Sequence, residues 1–246
     1  MHSRRCYYNL FSSFYDRFVR LHSGDRQETM RDFLAEVARL QQGQTVVDLC
    51  TGTGSSALRL ARPGVLAIGV DFSEGMLRQA SRKSVGSSWI HWVQADACAL
   101  PILSCSVDRV TCSYAMYELS GTARREVLRE VTRVLKPAGM FIMLEHLPPR
   151  RPVVKLLYLI RIYLLGSRGV RSFAGSEEKE LCRFFIRVGT ITSHGGKTKA
   201  VFGYKPSTDG LGPGGGDVND GDEPSFGHIP RVGPGCQVNS RGPAAR

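Results

Sequence analysis

Two periods of apolar and polar residues alternate along the middle of the chain. Short runs rich in β-branched and aliphatic residues fall at Thr45–Leu49, Leu66–Val70, Trp89–Val93, Val107–Ser113 and Met140–Leu144. The first two are continuous rather than alternating, as expected of strands buried on both faces. Between them apolar residues recur every three or four positions. Helices are therefore expected at Thr29–Leu40, Ser55–Ala61, Ser73–Lys83 and Thr122–Leu135. Ser73 is placed to cap the third of these. Gly43 ends the first, Pro63-Gly64 stops the second, and Pro137-Ala-Gly139 reads as a turn before the fifth strand. Strand–helix alternation implies right-handed crossovers and a mostly parallel sheet. Such a sheet takes its ligand beyond the carboxyl ends of its strands, where strand order reverses. The residues that matter chemically should therefore sit just after strands.

Composition divides the 246 residues unevenly. Residues 206–246 contain ten Gly and six Pro with few large apolar groups, a composition expected to be disordered because it cannot bury enough surface. That tail is slightly acidic, so the positive charge behind the whole chain's net +11 lies in the rest of the chain. A basic body points to an anionic partner or surface, or simply to solubility. The seven cysteines, at 6, 50, 98, 105, 112, 182 and 236, include no Cys-x-x-Cys pair. Neither a metal site nor a disulfide framework is indicated, and a reducing, cytoplasmic setting fits best. Polar residues break up the N-terminal region, so no secretory signal is read there. No apolar run is long enough to span a membrane.

The strongest chemical signal follows the first strand. In Asp48-Leu-Cys50-Thr51-Gly52-Thr-Gly54, two glycines allow a sharp turn and close backbone approach, and the helix that follows offers free N–H groups. Gly52-x-Gly54-x-x-Ala57 also fits the dinucleotide fingerprint, with Asp71 at a distance suited to a ribose anchor. Two carboxylates favour S-adenosylmethionine (SAM) over NAD. Asp48, just before the glycines, suits a cationic amine and would repel a pyrophosphate. Asp96, after the third strand in Gln94-Ala-Asp-Ala97, can accept from an adenine amine.

Four motifs in register, Val46-Val-Asp48-Leu-Cys-Thr-Gly52-Thr-Gly54, Gly69-Val-Asp71-Phe-Ser-Glu-Gly-Met76, Ala95-Asp96-Ala97 and Val134-Leu-Lys-Pro137-x-Gly139, resemble class I SAM-dependent methyltransferases. The resemblance implies a Rossmann-like, doubly wound α/β fold whose seven-stranded, mostly parallel sheet ends in an antiparallel hairpin. It implies that SAM is held by Asp48, Cys50, Thr51, Gly52, Gly54, Asp71, Phe72, Met76, Asp96, Ala97 and Ser113. Asp71 would take the ribose hydroxyls, and Phe72 or Met76 would cover the adenine. Met76 is equally well explained as helix core, and Asp96 as a loop cap. Ser113 and Tyr114 would border the sulfonium and the acceptor.

Methyl transfer needs alignment and exclusion of water, and a base only if the acceptor must lose a proton. Weak candidates for such a base are His146 and Tyr114, with Tyr8, Tyr15, Asp16, Tyr117 and Glu118 further back. Two flanking segments bear on the acceptor. Residues 1–42 are expected to form a helical lid, dense in aromatics from Tyr7 to Phe18. Residues 43–205 form the SAM-binding domain, with an apolar, basic insert at 148–175. There, six basic residues and no acidic one lie between Glu145 and Glu177. On a helix, Arg150, Arg151, Lys155, Arg161 and Arg168 would share an arc of about 140°. Such a face suits peripheral contact with an anionic membrane or the wall of an apolar tunnel.

A lid plus this insert resembles the ubiquinone/menaquinone biosynthesis C-methyltransferases, with Gly195-Gly196 and Ala200–Pro206 in keeping. Two departures are a short stretch from Arg171 to Thr192 and Arg187-Val-Gly189 in place of an Ala-Gly-Phe-like turn. The expected acceptor is a lipophilic or small molecule, in first place a quinol precursor. A phospholipid amine, or cofactor binding without turnover, are the alternatives. Nucleic acid is disfavoured because Ser113-Tyr-Ala-Met116 is not an Asn-Pro-Pro-Tyr-like motif.

Overall fold

The computed structural model describes residues 27–147, 175–194, 196 and 198–207. The expected aromatic lid residues, the insert at 148–174 and nearly all of the tail lie outside these. The described elements run α1 (Gln27–Ala38), β1 (Thr45–Leu49), α2 (Ser55–Leu60), β2 (Leu66–Asp71), α3 (Glu74–Lys83), β3 (Ile90–Gln94) and β4 (Val107–Ser113). A 3-10 turn at Met116–Glu118 follows, then α4 (Gly121–Val134), β5 (Leu135–His146), α5 (Glu177–Leu181), β6 (Ile186–Thr192) and β7 (Thr198–Tyr204).

The strands form one sheet in the order β3-β2-β1-β4-β5-β7-β6. The first five are parallel, while β7 runs antiparallel to both β5 and β6. This is the α/β sheet with a terminal antiparallel hairpin that the motifs imply. Strand order reverses at β1 and β4, which are adjacent, with register Leu49↔Cys112. The crevice beyond Leu49 and Cys112 is therefore where a ligand is expected.

Alternation along the strands sends side chains into two cores. Val47, Leu49, Val110, Cys112, Phe141 and Met143 pack with Val127, Leu128 and Val131 of α4 and Leu181 of α5. On the other face Val46, Ala67, Ile142 and Leu144 pack with Phe33 and Leu34 of α1 and Ala57 and Leu60 of α2. Each fully buried aliphatic of this kind contributes about 1.5–3 kcal/mol.

Three details depart from the sequence reading. The Pro137–Gly139 turn lies inside β5, which already begins at Leu135. Ala138 donates to the Lys205 carbonyl and Lys205 donates to that of Gly139, so the end of the β7 arm draws this segment into the sheet. Arg187 takes a positive φ of 49°, and the β6–β7 register shifts between Ile186 and Gly189. The degraded junction at Arg187-Val-Gly189 is thus a bulge, with Gly189 leaving room for the Phe202 ring. Cys182 is disulfide-bonded, of which the cysteine spacing carried no sign.

Candidate functional site

Both strands at the switch point end in backbone that ordinary residues avoid. Cys50, just past β1, has φ 52°, and Tyr114, just past β4, has φ 57°. A side chain in this left-handed region costs about 1–2 kcal/mol, and such strain gathers where a site fixes the backbone. Tertiary bonds hold the backbone at both places: Thr51 N–H, next to Cys50, donates to the Val70 carbonyl, and Tyr114 N–H to that of Leu144.

The glycine turn is braced by two buried carboxylates. Asp48, 1% exposed, accepts hydroxyl bonds from Thr51 at 2.6 Å and Thr111 at 2.7 Å, and a backbone bond from Ala57 in the first turn of α2. Since Gly54 caps α2 without a side-chain bond, Asp48 does that work from the neighbouring strand. Burial nevertheless pushes its carboxyl up to about 6, against the pull of its hydrogen bonds. Asp71, at the end of β2, accepts from Gly52 N–H at 2.8 Å on one oxygen and from Ser73 N–H at 2.9 Å on the other. Burial raises it as well, its backbone bonds opposing. A carboxylate offers roughly four lone-pair sites, so each of these retains capacity to accept from a ligand.

The two glycines of the turn do different work. A Cβ on Gly52 would meet nothing within 4 Å, so its backbone borders open space. A Cβ on Gly54 would overlap Trp92 Cη2 and lie 2.8 Å from the Ala80 Cβ, and one on Gly69 would overlap the same indole. Trp92, held by an Nε1–H bond of 2.9 Å to Ser84 Oγ, fills the volume that both glycines leave. Gly52 leaves its backbone open, and Gly54 is there for packing.

The remaining residues named from the sequence fall around this turn or beside it. Phe72 is partly exposed at the end of β2. Met76 is buried inside α3, its N–H bonded to the capping Ser73 hydroxyl, and presents no open face. Asp96 is exposed and accepts from Cys98 N–H at 2.9 Å, with Ala97 between them partly buried. It closes a tight turn and leaves carboxylate surface free to solvent. Cys50 is hydrogen-bonded to Cys112. That bond and burial keep Cys112 protonated. Ser113 at the end of β4 meets Ser56 of α2, hydroxyl to hydroxyl at 3.3 Å, which draws the ends of the switch-point elements together.

Tyr114 and His146 stack, with ring centroids 4.1 Å apart and 18° between planes. The Tyr114 hydroxyl lies 2.7 Å from Met30 Sδ and 3.0 Å from the Thr198 hydroxyl. Both side chains are thus tied to α1 and the β5–β7 edge. Tyr8, Tyr15 and Asp16 lie outside the described residues.

One residue that sequence reasoning passed over stands out. Glu145, one position before His146, is 5% exposed, and its Oε1 is buried with no hydrogen-bond partner among the described residues. Burial first, then the Glu177 carboxylate, pushes it up to about 8, with Lys199 and Arg124 opposing. A lone Glu at a strand end reads as a solvated tip. Only the packing of β7 and α5 reveals it as interior.

The residues present fit a SAM molecule. The Gly52 backbone borders open space just past β1, the Asp71 carboxylate accepts its N–H, and the exposed Asp96 carboxylate follows β3. The sequence model of the ubiE/COQ5 methyltransferase family matches residues 5–178. A demethylmenaquinone methyltransferase from Clavibacter sepedonicus is 35% identical over 147 residues, 60% of this chain and 59% of the relative, so that match spans under two thirds of the relative's length. One from Staphylococcus aureus is 28% identical over 214 residues, 78% of this chain and 88% of the relative. Solved structures share the fold. A SAM-dependent methyltransferase from Methanosarcina mazei matches 71% of this chain and 97% of its own with TM-score 0.55 at 18% identity. The PH0226 protein of Pyrococcus horikoshii matches 73% and 89% with TM-score 0.54 at 23% identity.

Proposed function

The chain belongs to the ubiE/COQ5 methyltransferase family, and from that premise we propose that this SAM-dependent methyltransferase methylates a lipophilic quinol, at a ring carbon of a quinone precursor. The observation that carries the proposal is the extent of the family match. It runs through residues 5–178 and so takes in the aromatic N-terminal segment and the apolar, basic segment that bear on the acceptor, as well as the cofactor motifs. Both relatives described above carry the name demethylmenaquinone methyltransferase.

The parts divide the labour. SAM supplies a methyl group already activated by its sulfonium. Gly52 would give its nucleoside close access to the backbone, Asp71 would accept from the ribose hydroxyls and Asp96 from the adenine amine. Asp48 fixes the turn and α2, and its charge favours the methionine ammonium. Ser113 and Tyr114, at the end of β4, border the place where acceptor and methyl meet. The chain then has to hold the acceptor in line and keep water away.

A quinol with an isoprenoid tail lives in a bilayer. Among the described residues no helix is long and apolar enough to cross one. Arg150, Arg151, Lys155, Arg161 and Arg168 support peripheral contact with anionic lipid instead. The test is release of S-adenosylhomocysteine with demethylmenaquinol, phosphatidylethanolamine and simple phenols offered separately. Turnover confined to the quinol supports the proposal. Turnover with phosphatidylethanolamine and none with the quinol defeats it.

A further inference from the structure

The carboxyl end of β5 holds a cluster of charges that the cofactor does not explain. Glu145 is the last buried residue of β5. It follows Leu144, whose carbonyl receives the Tyr114 N–H, so it stands next to the end of β4, where acceptor and methyl must meet. It pairs across the sheet with Lys199 of β7. Lys199 Nζ reaches Glu177 Oε1 at 2.7 Å, and Glu177 Oε2 takes the Gly175 N–H at 2.9 Å. Arg124 of α4 is buried and spends Nε and one terminal nitrogen on the carbonyls of Met116 and Leu119. Glu118, in the 3-10 turn, adds a third carboxylate to the neighbourhood. The cations thus bond other partners, while Glu145 Oε1 has none among the described residues. A buried carboxyl oxygen without a partner costs free energy that folding does not recover, and a bound hydroxyl would recover it.

We propose that Glu145 is a catalytic residue for this methyltransferase: its Oε1 receives the ring hydroxyl of the quinol acceptor and takes that proton as the ring carbon is methylated. The role rests on the quinol reading above. The O–H bond breaks to Glu145, and its electron pair moves through the ring to form the new bond between the ring carbon and the methyl carbon. The bond from methyl to sulfur breaks, its pair staying on sulfur as S-adenosylhomocysteine forms. The hydrogen displaced from the ring carbon leaves as a proton, the ring oxygen recovers its own proton from Glu145, and one proton in all passes to solvent.

A base of this kind works best when its carboxyl titrates near the working pH. Burial and Glu177 hold Glu145 at about 8, with Glu118 adding to them and Lys199 and Arg124 opposing. Cys112, on the adjoining strand, faces the same carboxyl. The basic form thus becomes the major one above that pH, and turnover should rise with pH through it.

The experiment uses the full chain and 1,4-naphthohydroquinone without a tail, under anaerobic conditions. Calorimetry with S-adenosylhomocysteine present reads acceptor binding, and methyl transfer is followed from pH 6 to 9.5. Glu145→Gln keeps the shape and removes the base. It should bind SAM as the unaltered protein does, bind the naphthohydroquinone at least tenfold more weakly, and turn over about 100-fold more slowly or worse, without the rising limb. Lys199→Met, which withdraws the opposing cation, should move the limb to higher pH, and Glu177→Gln should move it lower; a purely structural carboxyl would show neither shift. Glu145→Gln turning over within threefold of the unaltered protein, with the limb in place, overturns the role and leaves the quinol reading standing. An unaltered protein that neither binds nor methylates the naphthohydroquinone overturns the quinol reading and this role together, and that failure shows before any variant is made.

Discussion

Single residues carry most of the chemistry, and their costs can be read separately. Asp48 is a carboxyl whose native pKa lies above its unfolded value. Its contribution to stability is therefore largest below about pH 4 and is lost as pH rises through about 6. At neutral pH the folded chain bears an ionised, buried group at a cost of about 3 kcal/mol. Asp48→Asn keeps an acceptor oxygen for the hydroxyls and removes that cost. The variant should melt higher than the unaltered protein at pH 7, and the difference should shrink between pH 6 and pH 4. A thermal melt across that range checks it; a difference that grows on acidification would mean the carboxylate is net stabilising.

The glycines give a second residue-scale expectation. Gly69→Ala drives a methyl into the Trp92 indole and should lower stability by about 1–3 kcal/mol, with SAM affinity following stability. Gly52→Ala meets open space at φ 56° and should lose only about 1–2 kcal/mol while weakening SAM at least tenfold. Melting and calorimetry on the pair separate packing from ligand contact. The spacing of Gly52 and Gly54 made both legible as a turn, but their division of labour depends on Trp92, whose place opposite Gly69 is set by β2–β3 register. Glu145 was missed for a related reason. Its neighbours Lys199 and Glu177 lie more than thirty residues away along the chain, and no local pattern marks it.

Elements hold the site by lashing its loops. The connection from β3 to β4 carries Asp96, and α4 fixes it from its last turn. Arg133 donates to the carbonyls of Ile102 at 2.8 Å and Leu100 at 3.0 Å, while Glu130 Oε2 accepts from Leu100 N–H at 2.7 Å. Arg133 and Glu130 also bond each other. The pair is partly solvated, so Arg133→Ala should cost about 1 kcal/mol of stability. It should also speed amide exchange in residues 97–104, and weaken SAM severalfold without touching Gly52 or Asp71. Unchanged exchange in that segment would contradict the role given to α4. Strands and α4 were legible because β-branched runs and a 3.6-residue stripe are local signals. The start of β5 was not, because Pro137 and Gly139 read as a turn and only pairing with the Lys205 arm draws them into the sheet.

The whole molecule is a sheet whose strand order brings β1 beside β4 and sets residues 48, 71 and 113 along one edge. Alternation of strands and helices made a parallel α/β sheet legible, while the reversed hairpin was carried by family resemblance alone. The net charge of +11 gives a molecular-scale expectation. Binding to vesicles containing phosphatidylserine should exceed binding to neutral vesicles and fall steeply between 50 mM and 500 mM salt. Equal, salt-insensitive binding to both would remove the case for an anionic surface.

The central claim is that the glycine turn and the carboxylates at 71 and 96 hold SAM at the carboxyl edge of the sheet. Calorimetric titration of the full chain with SAM tests it most directly, alongside Asp96→Ala, whose exposed side chain leaves the core untouched, and Asp71→Asn. The account predicts micromolar binding by the unaltered protein and at least tenfold weaker binding by each variant. No binding by the unaltered protein, or equal binding by all three, would contradict it.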